Sequence, residues 1–422
     1  MADLMEAVAE RLVYKRYSSA VIDPSSEPSP ASDPAATGGQ ILRYRSHNLS
    51  LGKESFSADE MRTDQQRPMP KEGTRRVPVS LQHLLSCLTY KDQFEDVLRG
   101  TWTSSAITKS NTEFTSCAAD SATTKFTMAG GDPVAEGLRV GDPFQLGNMS
   151  NAANNGRTFI ILAFGGASNR DITVYPAPTT QTADTSFTLT TVGRSLIAPA
   201  SSPVKRKCAL EVYNPDADIA RLWTEIRLSG FGLSLAPDQM AQLSFTGMGR
   251  NRKTYSGVNA PFFSSPTAET TKDVIGSMDG VLLLNGAVVA VLSALQFQFN
   301  RAPTAPAQLQ TKGLPAGISQ GAAVGSGEFT AFLQDTTFLD LFDDPTTLKA
   351  QDFSLLAYLP ASDAAAPQAM TIFLPRVKLN SNQESVVENV KALQCGFDFA
   401  RYLGSAAGVE STSVRICDTE VS

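Results

Sequence analysis

Residue types that do chemistry are scarce in this 422-residue chain. Only His47 and His83 could act as an imidazole base, and no Ser-His-Asp grouping can be built around either. His83 stands among leucines and reads as packing or surface. Cys87, Cys117, Cys208, Cys395 and Cys417 form no CxxC pair, and His83 alone lies near one of them, so a zinc site is not expected. Without an export signal they read as buried, reduced thiols. Asp340, Asp343 and Asp344 are of the type that ligates cations. Before Pro345, they read instead as the solvated end of a short helix. Gly325-Ser326-Gly327-Glu328 is a fragment of a glycine fingerprint, but no helix pattern follows, so it reads as a turn; there is no Walker loop. No catalytic residue, cofactor or metal is therefore expected, and the chain does not read as an enzyme.

Charge narrows the partners. Basic clusters stand at Arg75-Arg76, Lys205-Arg206-Lys207 and Arg250 to Lys253, without the interleaved aromatics of a nucleic-acid platform. The net charge of −6 argues against bulk attraction to phosphate. Charged residues make up 18% of the chain, below the roughly 25% of typical soluble domains. Two readings fit that deficit: surface buried against other subunits, or strands coated with Ser and Thr. No apolar run approaches the ~20 residues of a membrane span. Asp3, Glu6 and Glu10 exclude a secretory signal, so the sequons at Asn48 and Asn148 carry no meaning. Leu4, Met5, Val8 and Leu12 suit one face of a short helix.

The elements that would carry any site are mostly strands. Ala294 to Asn300 alternates strictly, with Leu295, Phe297 and Phe299 on one face and Gln296, Gln298 and Asn300 on the other. Further strands are expected at Leu222–Ser234, Gln239–Met248, Ala290–Arg301, Gly327–Leu333, Met370–Leu379 and Lys391–Tyr402, and near Ile41–Tyr44 and Leu49–Leu51. Helices are expected at Ser80–Tyr90, burying Leu81, Leu84, Leu85 and Leu88, and at Thr336–Phe342, burying Phe338, Leu339, Leu341 and Phe342. Between them the chain becomes rich in Ser, Thr and Gly. Short strands are readable there at Thr124–Met128, Pro143–Leu146, Arg157–Phe164, Ile172–Tyr175 and Phe187–Thr191, as in a small barrel or sandwich.

The resulting organisation is an N-terminal arm (1–40) with a Pro- and Ser-rich stretch at 23–40, a first main part (41–102), an inserted β-domain (103–195) and a second main part (196–422). Two long irregular stretches remain, Gly249–Met278 and Ala302–Ser326. The first carries Arg250, Arg252, Lys253, Phe262 and Phe263. Two exposed rings in a loop call for a covering partner, or they fold back on their own domain. The basic group could meet acidic residues of a neighbouring subunit.

Several passages in order resemble the tail tube, or major tail, proteins of long-tailed bacteriophages. They are Phe94 to Trp102; Leu222 to Phe231 leading to Leu243–Arg250; Leu284 to Val289 and the strand after it; Gly325 to Thr330; and Phe373 to Leu379. The arm at 23–40 departs from the pattern. The resemblance implies a mainly β fold, a tail-tube-type β-sandwich with short helices. It also implies hexameric rings stacked into a tube through which DNA passes without specific binding. Its partners would be further copies of the chain, a tape measure protein, a tail terminator and tail-tip or baseplate proteins. The setting would be the virion tail, assembled in host cytoplasm, with no membrane. On that reading Gln296, Gln298 and Asn300 line the lumen, or else face outer solvent, and the inserted domain sits outside. A reading from another class is a virion-surface or cell-surface adhesin or decoration protein, which would show clustered exposed Trp and Tyr; Trp102 and Trp223 stand in strand-like settings instead.

Overall fold

The computed structural model describes residues 10–18, 33–57, 63, 66, 69–289, 292–309, 313–334, 337–343, 351–387 and 389–422. The chain is mainly β. Strict alternation makes Leu292–Asn300 a central strand: Leu295, Phe297 and Phe299 are buried, while Gln296, Gln298 and Asn300 are exposed. It pairs antiparallel with Ile219–Leu235 on one side and Val324–Phe332 on the other.

Following the pairings outward gives one large antiparallel sheet. Its order in space is Ser46–Leu49, Lys71–Leu84, Gln242–Gly249, Ile219–Leu235, Leu292–Asn300, Val324–Phe332, Val390–Phe399, Ala369–Val387, Asp352–Pro360, Val281–Leu284 and Ala287–Val288. The 17-residue strand Ile219–Leu235 outruns this sheet. Its first half joins Cys208–Asn214, Asn251–Ser256 and, through Cys208–Asn214, Arg11–Arg16. A helix, Lys91–Leu98, covers the apolar face. Its Phe94 packs edge-on against Phe231 and Phe245, with ring centroids 5.5 and 5.3 Å away.

Gly325 and Gly327 face that same core. A Cβ at Gly325 would lie 2.3 Å from Phe399, and one at Gly327 would lie 2.4 Å from Phe397. These glycines make room for rings across the ladder, so Gly325-Ser326-Gly327-Glu328 is strand, not the turn expected from sequence.

Residues 108–191 form a second sheet of eight antiparallel strands with its own core, including Phe114, Phe126, Phe144, Phe159, Ile172 and Leu189. The five strands read there appear, joined by Thr108–Ser110, Ser116–Asp120 and Gln181–Asp184. This unit is not loosely tethered. Its Val140 and Ile160 pack with Leu283, Leu356, Tyr358 and Phe373 of the large sheet. Buried Arg415 pairs with Asp142 across the junction.

Other expectations needed correction. Ser80–Leu84 belongs to the strand Lys71–Leu84 and the chain turns after it; the helix starts at Lys91. The leucines had helical spacing by coincidence, since burial runs Val77, Val79, Leu81, His83, a period of two. His83 is buried, and burial pushes its imidazole down to about 4. The second helix, Thr337–Phe342, buries Phe338 but leaves Leu339 exposed; its expected cap, Asp335, lies outside the described residues. Leu12 is in a strand, not a helix, whereas Leu4, Met5 and Val8 lie outside the described residues. Of the arm, 33–41 runs alongside 264–267, with Gly38 N–H donating to Ser264 at 2.8 Å and Ile41 N–H to Thr267 at 3.0 Å.

Candidate functional site: the polar face of the large sheet

Residues directly opposite in a ladder share a face. Gln82, Ser244, Gly232, Gln298, Ser326, Asp398, Lys378 and Asp352 therefore form one row across eight strands. A neighbouring row holds Gln242, Ser234, Gln296 and Glu328. The side chains are tied to one another. Gln296 Nε2 and Gln394 Nε2 both donate to Glu328 Oε1, at 3.2 and 2.8 Å, and Gln298 Nε2 donates to Ser326 Oγ at 3.4 Å. At its far end Arg376 pairs with Asp352 at 3.0 Å. Carboxamides and hydroxyls dominate, and the few charges offset one another. Among the described residues no group of His, Cys, Asp or Glu could hold a metal. All five cysteines are buried and unpaired in disulfides.

The sheet ends openly on both sides. Ser46–Leu49 pairs with Lys71–Leu84, and Ala287–Val288 with Val281–Leu284; among the described residues neither has a strand on its other side. Unpaired edge groups of this kind are templates for pairing with another chain.

Sequence reasoning placed Gln296, Gln298 and Asn300 on one exposed face, and the structure brings them together there. The loop candidates fare differently. Phe262 and Phe263 are buried in their own chain, against Val13, Ala209 and Leu222. The chain holds them by amide capture: Phe262 N–H donates to Glu211 Oε1 at 2.5 Å, and Phe263 N–H to the same atom at 3.3 Å. Glu211 is itself buried, which raises its carboxyl above the usual range, and Arg11 stands 3.8 Å away. Neither ring is left for a neighbouring subunit. Arg250 is likewise committed at home, to Glu225 at 2.7 Å and the Pro315 carbonyl at 3.1 Å. Nor is this stretch all loop, because Asn251–Ser256 is a strand. Arg252 lies exposed over the Trp223 ring, and Lys253 half-buried over Tyr255.

Glu211, Glu225 and the Asp142–Arg415 pair were not anticipated. The available signal was a lone carboxylate in an apolar run, as in Cys208-Ala209-Leu210-Glu211-Val212, which demands a partner once the strand is buried.

The large sheet thus offers two open edges and a broad polar face. The family model for phage tail tube protein matches residues 21–372. The chain belongs to that family, and so is a structural protein of the virion tail that assembles with itself and with other tail proteins. No curated protein matches the chain.

Proposed function

We propose that this chain closes edge to edge into hexameric rings and that the rings stack into a tube conducting DNA. In this reading the Ser46–Leu49 edge of one copy meets the Ala287–Val288 edge of the next, which satisfies both sets of unpaired backbone groups. The polar face looks inward, with Gln296, Gln298 and Asn300 at the lumen, and the 103–195 unit stands on the outer surface. Arg252, exposed over the Trp223 ring, is placed for contact between copies. The observation that carries the reading is the polar row crossing eight strands between two open edges, uncharged from Gln82 to Ser326 and ending in Lys378 between Asp398 and Asp352. Such a lining offers phosphate few cations, Lys378 standing between two carboxylates and Arg376 paired with Asp352, so DNA slides rather than sticks.

A map of self-assembled tubes tests it: Gln296 and Gln298 should point to the axis. Gln296→Lys with Gln298→Lys should fold and assemble, since exposed substitutions stay within about 0.5 kcal/mol, yet slow DNA passage. Both lysines seen in the channel with unchanged ejection would remove neutrality as the mechanism.

A further inference from the structure

Buried charges are paired as a rule, and one group of arginines departs from it. The helix Lys91–Leu98 ends on Arg99, a buried residue in the left-handed conformation at φ 59°. Its Nε donates to Gln320 Oε1 at 3.1 Å. Arg227, on the strand Ile219–Leu235, donates through Nη1 to the Ile318 carbonyl at 2.6 Å. Arg301, just past Leu292–Asn300, donates through Nε to the Val97 carbonyl at 3.4 Å and lies over the Phe299 ring. Gln320 Nε2 donates to the Leu228 carbonyl at 2.9 Å, and Gly321 N–H to the Arg301 carbonyl at 2.7 Å. The three arginines thus meet around Gln320 and Gly321.

The acceptors just named are neutral. Among the described residues no carboxylate pairs with Arg99 or Arg301. Burial and the charge of Arg227 pull Arg99 below its usual range, and burial and the charge of Arg99 pull Arg301 down to about 10. Glu225, whose charge reaches Arg227, is already shared by Lys207 at 3.1 Å and Arg250 at 2.7 Å. The helix C-terminus supplies about half a negative charge, less than the cations gathered at it. Arg227 and Arg301 are partly exposed, so the group opens to solvent. Arg301 stands on the Phe299 side of its strand, away from Gln298.

We propose that Arg99, Arg227 and Arg301 together hold one phosphate-class oxyanion. Carbonyls satisfy guanidinium N–H groups without cancelling their charge; an oxyanion does both, and the planar fork of each guanidinium fits its oxygens. The anion fastens the helix end, the strand Ile219–Leu235 and the segment 318–321 to one another.

Equilibrium dialysis of the full chain against inorganic phosphate in excess chloride should find one phosphate per chain. Phosphate should also raise the thermal midpoint by at least about 2 °C over chloride at equal ionic strength. No bound phosphate overturns the proposal. Arg301→Met keeps an apolar chain against Phe299 and removes the charge. It should weaken phosphate by at least about tenfold, while its midpoint in chloride matches or exceeds that of the unaltered chain, because like charges are no longer crowded. Arg227→Met should weaken phosphate likewise, and Arg301→Lys, which restores the charge, should recover part of the binding. Phosphate held undiminished by both methionine variants overturns the proposal. So does a midpoint that Arg301→Met lowers equally in both salts, which would mean that Arg301 serves the Val97 carbonyl alone.

Discussion

The 108–191 unit and the large sheet bury similar side chains by different routes. In the former, every strand of the sheet and every ring of the core comes from one contiguous stretch, and its longest reach is Thr108–Ser110 to Thr188–Thr191. In the large sheet, neighbours come from far apart in sequence: Lys71–Leu84 pairs with Gln242–Gly249, and Val324–Phe332 with Val390–Phe399. The local unit closes on itself and can be read piecewise. The large sheet depends on distant partners, ends in open edges, and lends one patch of its face to the other unit. Self-sufficiency runs one way across the junction.

Cutting the molecule there should have the largest effect. Residues 103–195 alone are expected to fold, with a single cooperative thermal transition. The remainder, rejoined by a short linker, should aggregate, because Leu356, Tyr358 and Phe373 lose their cover and Arg415 loses Asp142. Leu356→Thr, Tyr358→Thr and Arg415→Met in the remainder should restore solubility. Equal behaviour of the two fragments in melting and light scattering would abolish the asymmetry.

A single substitution at the junction sharpens the point. Arg415→Ala leaves Asp142 buried with its principal cation gone, and removing one partner of a buried pair costs about 3–5 kcal/mol. Urea unfolding followed separately in each region should show both weakened, because Glu410 and Asp142 share that guanidinium.

Within the large sheet, Gly327→Ala tests the crowding of its core. The new methyl would meet Phe397 and, at 2.7 Å, the Gln296 carbonyl, which cannot step aside. Overpacking of this kind costs about 1–3 kcal/mol. Gly165→Ala in the smaller unit meets open space and should cost far less, as read from the two unfolding midpoints.

The smallest expected effect concerns acid. Burial raises the Asp96 carboxyl to about 6, against the opposing pull of Arg16 and the Tyr14 hydroxyl at 2.5 Å. The unfolded value is about 3.9, so between roughly pH 4 and 6 the folded state holds the extra proton. Stability from this group is therefore present at the acid side and lost as pH rises through 6. Asp96→Asn should flatten that part of the curve of thermal midpoint against pH, and an unchanged slope would refute the assignment.

Legibility in the sequence follows the same division. Leu292–Asn300 was readable because its two faces differ in chemistry residue by residue. Five of the smaller unit's strands were readable because turn residues such as Asn154-Asn155-Gly156 bracket them. Lys71–Leu84 was not, because Leu81, Leu84, Leu85 and Leu88 satisfy a helix as well as a strand. The decision is made by Gln242–Gly249, more than 150 residues later. Phe262 and Phe263 looked available to a partner because Val13, Leu222 and Glu211, which enclose them, carry no local signal. The polar row was legible strand by strand; its continuity across eight strands depends on registers that only pairing defines.

That row has a direction. Its last member, Asp352, shares a strand and a face with Leu356 and Tyr358, the residues under the smaller unit. The unit is thus mounted on the same side of the sheet as Gln298, four strands away. Adjacent strands rotate by about 20–25°, so the sheet turns by about 80–100° between the two. In a ring where Gln298 looks at the axis, the patch under the smaller unit looks sideways from it. Its proposed placement outside the wall is then a matter of handedness and angle, and a flatter sheet built from the same strands would swing it into the bore.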